Sequence, residues 1–496
     1  MFNRLKEIFE KVRFLSKSID KYQKDTVIQS LPSLAYVNRA KKLIEQNNYA
    51  AAEAVLTEAL SLPQEDSLVF KYLGMVYERT GRPFEAVQSY QKSADLNPHD
   101  KNIWQRLGFM LISVEKYEKA EKSFDNANKI QAGNSDTFTG WGMALMKLKE
   151  YAKAREKFMQ ASKLNKYNFS AVFLCAVMEI KLKMYDKAET KLAFLANVSP
   201  NESNTFEYAR LKALKDDIDN AIHYAQKSLE YNPKMLPAYI LLGQLYAQKL
   251  DEEKSLNYFE TASQQNLKNP NLYLEWGKVL VKFEKFEQAK EKLLQAKELA
   301  PENTEITANL GLCLVELKEY SQAEPLLQYV TEKEPENKTV KQALGIIAYI
   351  NNNIDKAISI LKYDDEDAVN CFYIAKCYEK KENDTKVKEY YESALRINNR
   401  YITAYINYIN YLINRNEFAE AQRKLRKAIK FDENNINLLN LMFYVSYILV
   451  KDNVSDYNLK EALSYAQKIE NMGEELLKYP GQKQELVNLL HEREQN

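Results

Sequence analysis

The sequence predicts an all-α fold, an α-solenoid of antiparallel helix pairs that repeat about every 34 residues. Glycine and proline, the residues that interrupt helices, number only 12 each among 496 residues, which favours helix over nearly the whole length. Small residues recur at one spacing, and a fixed period of this length is typical of a repeat array. The glycines that share this phase are Gly74, Gly108, Gly142, Gly243, Gly277, Gly311 and Gly345.

Each unit carries the same internal pattern. A second small residue follows the first by twelve positions, and a large apolar residue follows four positions later. In the unit around Gly108 these residues are Ala120 and Phe124, and prolines such as Pro98 close many units. Small residues let two helices approach closely, large residues fill the groove between them, and proline cannot continue a helix. The pattern therefore predicts helix, short turn, helix and stop.

This unit resembles the tetratricopeptide repeat. The residues that match the family pattern W-x2-L-G…A-x3-F are Trp104, Leu107, Gly108, Ala120 and Phe124. Leu111 stands where tyrosine is usual, and the block Thr304–Asn337 matches as well. The resemblance implies a right-handed superhelix of about thirteen units, from roughly Ser33 to roughly Asn471, whose first helices line a concave face.

The repeats differ in regularity along the chain. Residues 33–337 are predicted to hold about nine regular units, and residues 338–471 about four more divergent ones. In the divergent part Val387 and Ile409 replace small residues, and the unit that begins at Lys338 is short. Residues 472–496 are predicted to form a C-terminal capping helix, because a stack of repeats leaves an end that a polar helix must cover.

Residues 1–32 are predicted to form an N-terminal amphipathic helix. Its apolar residues, which recur at helical spacing among basic ones, are Phe2, Leu5, Phe9, Val12 and Leu15. Such a helix fits two roles, a cap on the first repeat or a peripheral contact of residues 1–20 with an anionic membrane. We favour the cap because the acidic residues Glu7, Glu10 and Asp20 dilute the basic charge.

The balance of charge argues against several classes of partner. Lysine and arginine total 70 and aspartate and glutamate total 69, so no net field attracts nucleic acid or an anionic membrane. The chain has no apolar stretch of about 18 residues that would predict a membrane span, and its N-terminus does not fit a secretory signal. Four cysteines without a C-x-x-C motif predict neither a disulfide framework nor a zinc site. We expect a reduced, cytoplasmic setting.

Residues suited to catalysis are sparse. The three histidines, His99, His223 and His491, fall far apart in a solenoid, and no glycine-rich phosphate-binding motif occurs. The acidic stretch 364–367 lacks the ligand spacing of a calcium loop, and Asp367 is predicted to cap the helix that follows. We therefore expect no enzyme activity, no cofactor and no metal.

The resemblance also implies where a partner would bind, because ligand segments in this family lie along the concave face. The implied positions are Phe109, Met143, Met146, Phe173, Val177, Phe206, Arg210, Ile240, Gln244, Leu274, Lys278, Lys282, Leu312, Ile346, Phe372, Lys376, Ile406 and Asn410. Two interpretations stay open: the apolar members pack between neighbouring first helices, or they form an apolar groove for a partner. The basic members favour an extended or helical protein segment that is apolar with some acidic residues.

The sequence thus predicts a non-catalytic scaffold or adaptor that binds another protein. The alternative is a regulatory subunit that positions an enzyme or a membrane-associated complex. RNA binding is less favoured, because the net charge is near zero and the predicted face is apolar. A clamp for a C-terminal carboxylate is incomplete: Lys278 and Asn309 hold two of its places, but Thr339 and Ala343 stand where basic residues are needed.

Overall fold

The computed structural model describes residues 33–265, 269–452, 456–473 and 477–495. Within these ranges all regular secondary structure is helical, which confirms the predicted all-α solenoid. The helix predicted for residues 1–32 lies outside the described residues. The chain divides into two compact units, Met1–Leu267 and Lys268–Asn496, which we call unit 1 and unit 2.

The described part of unit 1 is a series of helix pairs in which every helix packs on the next. Its helices are α1 (Ser33–Glu45), α2 (Tyr49–Ala59), α3 (Ser67–Thr80), α4 (Pro83–Leu96), α5 (Lys101–Ser113), α6 (Tyr117–Ile130), α7 (Ser135–Lys147), α8 (Tyr151–Leu164), α9 (Phe169–Lys181), α10 (Tyr185–Val198), α11 (Glu202–Leu214), α12 (Ile218–Tyr231), α13 (Leu236–Gln248) and α14 (Glu252–Gln264). Odd-numbered helices are the first helices of their hairpins. First helices of several neighbouring hairpins also touch one another, for example α5 and α7.

Unit 2 continues the same pairing. Its helices are α15 (Pro270–Lys282), α16 (Phe286–Leu299), α17 (Thr304–Glu316), α18 (Tyr320–Lys333), α19 (Lys338–Ile350), α20 (Ile354–Leu361), α21 (Ala368–Lys380), α22 (Asp384–Ile397), α23 (Ile402–Asn414), α24 (Phe418–Ile429), α25 (Ile436–Asp452), α26 (Asp456–Glu470) and α27 (Pro480–Gln495). Helix α27 packs on α25 and α26 and buries Leu486 against them. Helices α1 to α26 thus make thirteen consecutive hairpins.

Most hairpins close on a contact between a small residue of the first helix and a large side chain of the second, sixteen positions later. The hairpin of α11 and α12 is an exception, with Ala209 and Ala225 at these two positions. A methyl group built on Gly142 would stand only 2.6 Å from Cε1 of Phe158. At Gly311 the corresponding distance to Cδ2 of Leu327 is also 2.6 Å. No side chain fits at these glycines unless the partner moves, so glycine sets how closely the two helices approach. We call this contact the hairpin lock.

The divergent hairpins of unit 2 close the lock with other residues. Ile409 replaces glycine opposite Leu425, and both side chains are fully buried in one apolar cluster. Val387 replaces the second small residue and is also fully buried. Helix α20 is only eight residues long and continues into a 3₁₀ turn, Lys362–Asp364. These hairpins therefore keep the buried contact and change the size of its members.

Asparagine and aspartate side chains cap the N-termini of most first helices. The residues whose side chains accept a hydrogen bond from a backbone N–H of the first turn are Asp66, Asp100, Asn134, Asn168, Asn201, Asn269, Asn303, Asn337 and Asp367. Each cap satisfies an N–H group that the helix itself leaves unpaired, a contribution of about 1 kcal/mol. The backbone N–H of Asn370 donates to Oδ1 of Asp367 over 2.9 Å, which confirms the cap predicted there.

The turns within hairpins place one residue in the left-handed backbone region, usually without glycine. Gly81 occupies such a turn, but Lys149 and Leu250 adopt φ of 63° and 60° in theirs. The left-handed conformation costs a residue that has a Cβ atom about 1–2 kcal/mol. These turns therefore lower the stability of the hairpins slightly. Leu250 is also 74% exposed, which makes it an apolar side chain outside the core.

The hairpin lock predicts that Gly142→Ala lowers the free energy of unfolding by about 1–3 kcal/mol, because the added methyl group forces Phe158 out of its place. The control is Gly481→Ala in α27, since nothing lies within 4 Å of a methyl group there. That variant should change the free energy by less than about 0.5 kcal/mol. Urea unfolding followed by circular dichroism measures both, and equal effects of the two variants would contradict the lock.

Candidate functional site

All of the predicted binding residues lie on first helices, from α5 to α23. In unit 1 several of them lie on the accessible side of these helices, together with three further residues, Lys147, Lys181 and Leu214, that occupy one common repeat position. We call this surface the first-helix face; its members are Phe109, Met146, Lys147, Phe173, Val177, Lys181, Arg210 and Leu214. The sequence left two interpretations open. If the apolar members only pack between first helices they should be buried, and if they form a groove for a partner they should be accessible.

Five predicted residues belong to the core. Met143, Phe206, Ile240, Leu274 and Phe372 are only 2–8% exposed. Phe206 packs with Met235 and Ala238, and the Phe372 ring lies 5.1–6.2 Å from the rings of three tyrosines. Their apolar character therefore serves packing between helices, and they offer a partner almost no surface.

Most of the other apolar positions are only partly buried. Phe109 packs edge-on against Phe124, with 5.1 Å between ring centroids, and keeps its other side accessible. The remaining partly buried apolar members are Met146, Phe173, Val177, Leu312, Ile346 and Ile406. The polar Gln244 is also partly buried. These residues support the packing of first helices and still present an apolar edge to a partner.

Several of the predicted basic residues already hold carboxylates of this chain. Nζ of Lys278 lies 2.8 Å from Oε1 of Glu275 and 3.2 Å from Oε1 of Glu305. Partial burial lowers the pKa of Lys278, but the hydrogen bonds to these two glutamates outweigh it and raise the pKa above its usual value. An acidic partner would have to compete with these glutamates.

Arg210 and Lys376 are also paired within the chain. Arg210 lies 2.8 Å from Glu207, and Lys376 lies 2.7 Å from Glu379. Lys282 and Asn410 are exposed. The predicted basic residues therefore differ in how freely they can meet an acidic partner.

Lys147 and Lys181 differ from these paired residues. They end the first helices α7 and α9, and neither makes an ion pair or hydrogen bond with any residue that the structure describes. Lysine is favoured at a helix C-terminus by the helix dipole, which accounts for their position but not for their lack of a carboxylate partner. Leu214 holds the same repeat position in the next hairpin and is 53% exposed. The sequence signal for Leu214, an apolar residue where its neighbours are lysines, was missed.

The metal-ligating and nucleophilic side chains of the described residues bear on whether the chain holds a reactive site. Among the described residues there is no group of three or more histidine, cysteine, aspartate or glutamate side chains able to hold a metal ion. The four cysteines are buried and unpaired, and burial raises the pKa of each thiol to about 11. A thiol with such a pKa is protonated at neutral pH and is a poor nucleophile.

One buried carboxylate has a structural role beside the face. Glu179 in α9 is 0% exposed. Its carboxylate lies 2.9 Å from Nε of Arg155 in α8 and 2.8 Å from Nζ of Lys191 in α10. Two cations compensate one buried charge, so the group ties three successive helices together. This position on α9 lies between Val177 and Lys181 and holds the helix that carries them.

We predict that Glu179→Ala lowers the free energy of unfolding by about 3 kcal/mol, because Arg155 and Lys191 then lose their shared carboxylate. Glu118→Ala, on an exposed site of α6, provides the control and should cost less than about 0.5 kcal/mol. The comparison is made by urea unfolding at neutral pH. A loss at Glu179 no larger than that at Glu118 would mean that the ion cluster does not hold these helices.

Known protein families match the chain in two places. The model for the N-terminal tetratricopeptide repeat region of Psidin matches residues 41–198, and a tetratricopeptide repeat model matches residues 274–328. No curated protein sequence matches the chain. The matched ranges fall on the hairpins whose locks and turns are described above.

Solved structures resemble the chain at low identity. A structure of the APC/C hetero-tetramer Cut9–Hcn1 is 15% identical, covers 90% of this chain and 96% of its own, and has a TM-score of 0.42. A tetratricopeptide repeat protein from Parabacteroides merdae is 17% identical over 49% of this chain and 98% of its own, with a TM-score of 0.42. PilF of Pseudomonas aeruginosa is 21% identical over 41% of this chain and 93% of its own, with a TM-score of 0.36.

The family assignment depends on the hairpins and the family models, not on these distant structures. Thirteen helical hairpins occur along the described chain, most of them with a small residue opposite a large one, and the models match hairpins in both units. The resemblance predicted from the residues around Gly108 is thereby confirmed. The chain carries tetratricopeptide repeats over residues 41–198 and 274–328.

Proposed function

We propose that this chain is a non-catalytic scaffold or adaptor that holds a segment of another protein on the first-helix face of unit 1. The observation that carries the proposal is the pair of uncompensated lysines, Lys147 and Lys181, beside the accessible edges of Phe173 and Val177. Repeats of this family suggest a protein-binding scaffold in general. The charges and apolar edges of this surface narrow the partner to an acidic one.

The chemistry of the face suits a segment with both apolar and acidic residues. Burying apolar surface contributes about 25 cal/mol per Å², which favours a partner that covers the half-buried edges of Met146, Phe173 and Val177. Carboxylates on the partner would then meet Lys147 and Lys181 without displacing a carboxylate of this chain. Leu214, at the equivalent position in the next hairpin, offers an apolar contact beyond the two charges.

Unit 2 is the weaker candidate for the same role. Its basic residues Lys278 and Lys376 are engaged by Glu275, Glu305 and Glu379, so an acidic partner gains little there. Its apolar members Leu274 and Phe372 are buried. Leu312, Ile346 and Ile406 keep accessible edges, which suit apolar contact without the charge pairing that unit 1 offers.

A regulatory subunit that positions an enzyme would use the same face, and the identity of the bound protein separates the two roles. Among the described helices, none combines the length and apolar character needed to cross a bilayer. All four cysteines are free, which supports the cytoplasmic setting that we include in the proposal.

The proposal predicts how a simple acidic ligand binds. A fluorescent amphipathic peptide of leucine and glutamate should bind the wild-type chain more tightly than the same peptide with lysine in place of glutamate. Lys147→Gln combined with Lys181→Gln should weaken binding of the acidic peptide by about tenfold, because each exposed ion pair contributes up to about 1 kcal/mol. Fluorescence anisotropy at a fixed, physiological salt concentration measures both affinities.

The matched control changes two exposed lysines on second helices, Lys119→Gln with Lys187→Gln, which removes the same net charge. Binding should then change less than about twofold. Equal losses in the two double variants would show that the peptide responds only to net charge. No loss in either would place the binding surface elsewhere.

A further inference from the structure

A second accessible apolar surface lies on the other helices of unit 1. Five large apolar residues stand close together at the ends of α6, α8 and α10 and in the loop after α8. We call them the second-helix patch: Ile130, Leu164, Tyr167, Phe194 and Val198, which are 37%, 49%, 68%, 44% and 54% exposed. None of them belongs to the first-helix face.

Contacts connect the members of the patch. Cδ2 of Leu164 lies over Gly133, in the loop that follows Ile130. The Tyr167 ring packs edge-on against Phe169 at 6.3 Å, and the Phe169 ring lies 6.3 Å from that of Phe194. Val198 follows Phe194 by four positions on the same helix and therefore shares its face. Tyr167 and Phe194 are thus connected through Phe169, and Leu164 reaches the loop that follows Ile130, so these contacts extend over three consecutive hairpins.

The repeat does not account for the two aromatic members of the patch. Ile130, Leu164 and Val198 share one repeat position, which is apolar and exposed in other hairpins too, as at Leu96 and Tyr231. Phe194 and Tyr167 instead depart from their repeat positions. Phe194 stands six positions after the second small residue of its hairpin, and the equivalent residues of the other hairpins in unit 1 are all polar. They are Glu58, Lys92, Asn126, Gln160, Lys227 and Thr261. Tyr167, three positions after its second helix ends, corresponds to His99, Gly133, Asn201 and Lys234. An apolar cluster of this kind on an exposed surface usually marks an interface.

The charge around the patch is basic. Lys163 and Lys166 flank Leu164 and Tyr167, and neither side chain pairs with a carboxylate among the residues that the structure describes. Nζ of Lys166 lies 5.0 Å from the centre of the Tyr167 ring, and Lys129 beside Ile130 is already paired with Asp125. A partner that buries the patch must therefore approach two lysines that lack a counter-charge, so carboxylates on the partner favour binding.

We propose that the second-helix patch docks an acidic amphipathic helix of a partner protein, separately from the segment held on the first-helix face. Apolar residues of that helix would cover Tyr167, Phe194 and Val198, and its carboxylates would meet Lys163 and Lys166. A second copy of this chain fits less well, because a two-fold contact would bring these lysines towards their own copies. An anionic membrane fits less well because only two lysines are uncompensated. Unit 1 then binds two partners at once.

The test variant replaces each aromatic residue by one that another hairpin carries at the same position, Tyr167→Asn with Phe194→Lys, so the fold is retained. The matched control is Leu250→Asn, which removes a 74% exposed apolar residue elsewhere in unit 1. The probe is a leucine–glutamate amphipathic peptide that carries one photoreactive leucine. Cross-links to the full chain are mapped by mass spectrometry, which separates the two proposed surfaces.

The proposal predicts cross-links within residues 163–169 and 194–198 in the wild type and the control. In the patch variant the yield of these cross-links should fall about tenfold, and the yield of cross-links near Lys147 and Lys181 should stay the same. Equal cross-linking of the patch in all three proteins would overturn the proposal. So would patch-dependent binding to phosphatidylserine vesicles in place of the peptide, or a dimer in sedimentation that only the patch variant abolishes.

Discussion

The hairpin lock is the contact on which the rest of this structure depends. A helix pair buries too little apolar surface to be stable alone, so each hairpin must lie close against its neighbours. Glycine or alanine opposite a large side chain sets that distance within most hairpins, as Gly142 and Phe158 do. The cap at the start of the next first helix then fixes where the next hairpin begins. Repetition of the sequence follows from repetition of this contact.

The lock also explains which positions are free to carry function. A few positions per hairpin hold the contact, and the outward positions of both helices can vary without disturbing it. On the first helices that freedom places Lys147 and Lys181 beside partly buried apolar edges. On the second helices it admits Phe194, where equivalent hairpins of unit 1 carry polar residues. The two binding surfaces that we propose are therefore places where the side chains depart from the repeat pattern.

The sequence predicted the fold well because the hairpin lock requires small and large residues at a fixed spacing, which can be recognised in the sequence. The same pattern predicted the cap at Asp367, which depends only on local chain geometry. It could not separate Met143, which is buried, from Met146, three positions later on the same helix, which keeps an exposed edge. Nor could it show that Lys278 has two carboxylate neighbours while Lys147 has none, since Glu305 lies 27 positions further along the chain. Burial and pairing depend on neighbouring hairpins, which a repeat position does not specify.

Hydrogen–deuterium exchange across the whole chain, with and without the leucine–glutamate peptide, tests most directly whether unit 1 holds the binding surface. Bound peptide should slow exchange at the C-terminal turns of α7, α9 and α11, which carry Lys147, Lys181 and Leu214. The first helices of unit 2 that carry Lys278 and Lys376, both paired with glutamates of this chain, should change little. Protection confined to unit 2, or spread evenly over all hairpins, would contradict a binding face built on the uncompensated lysines.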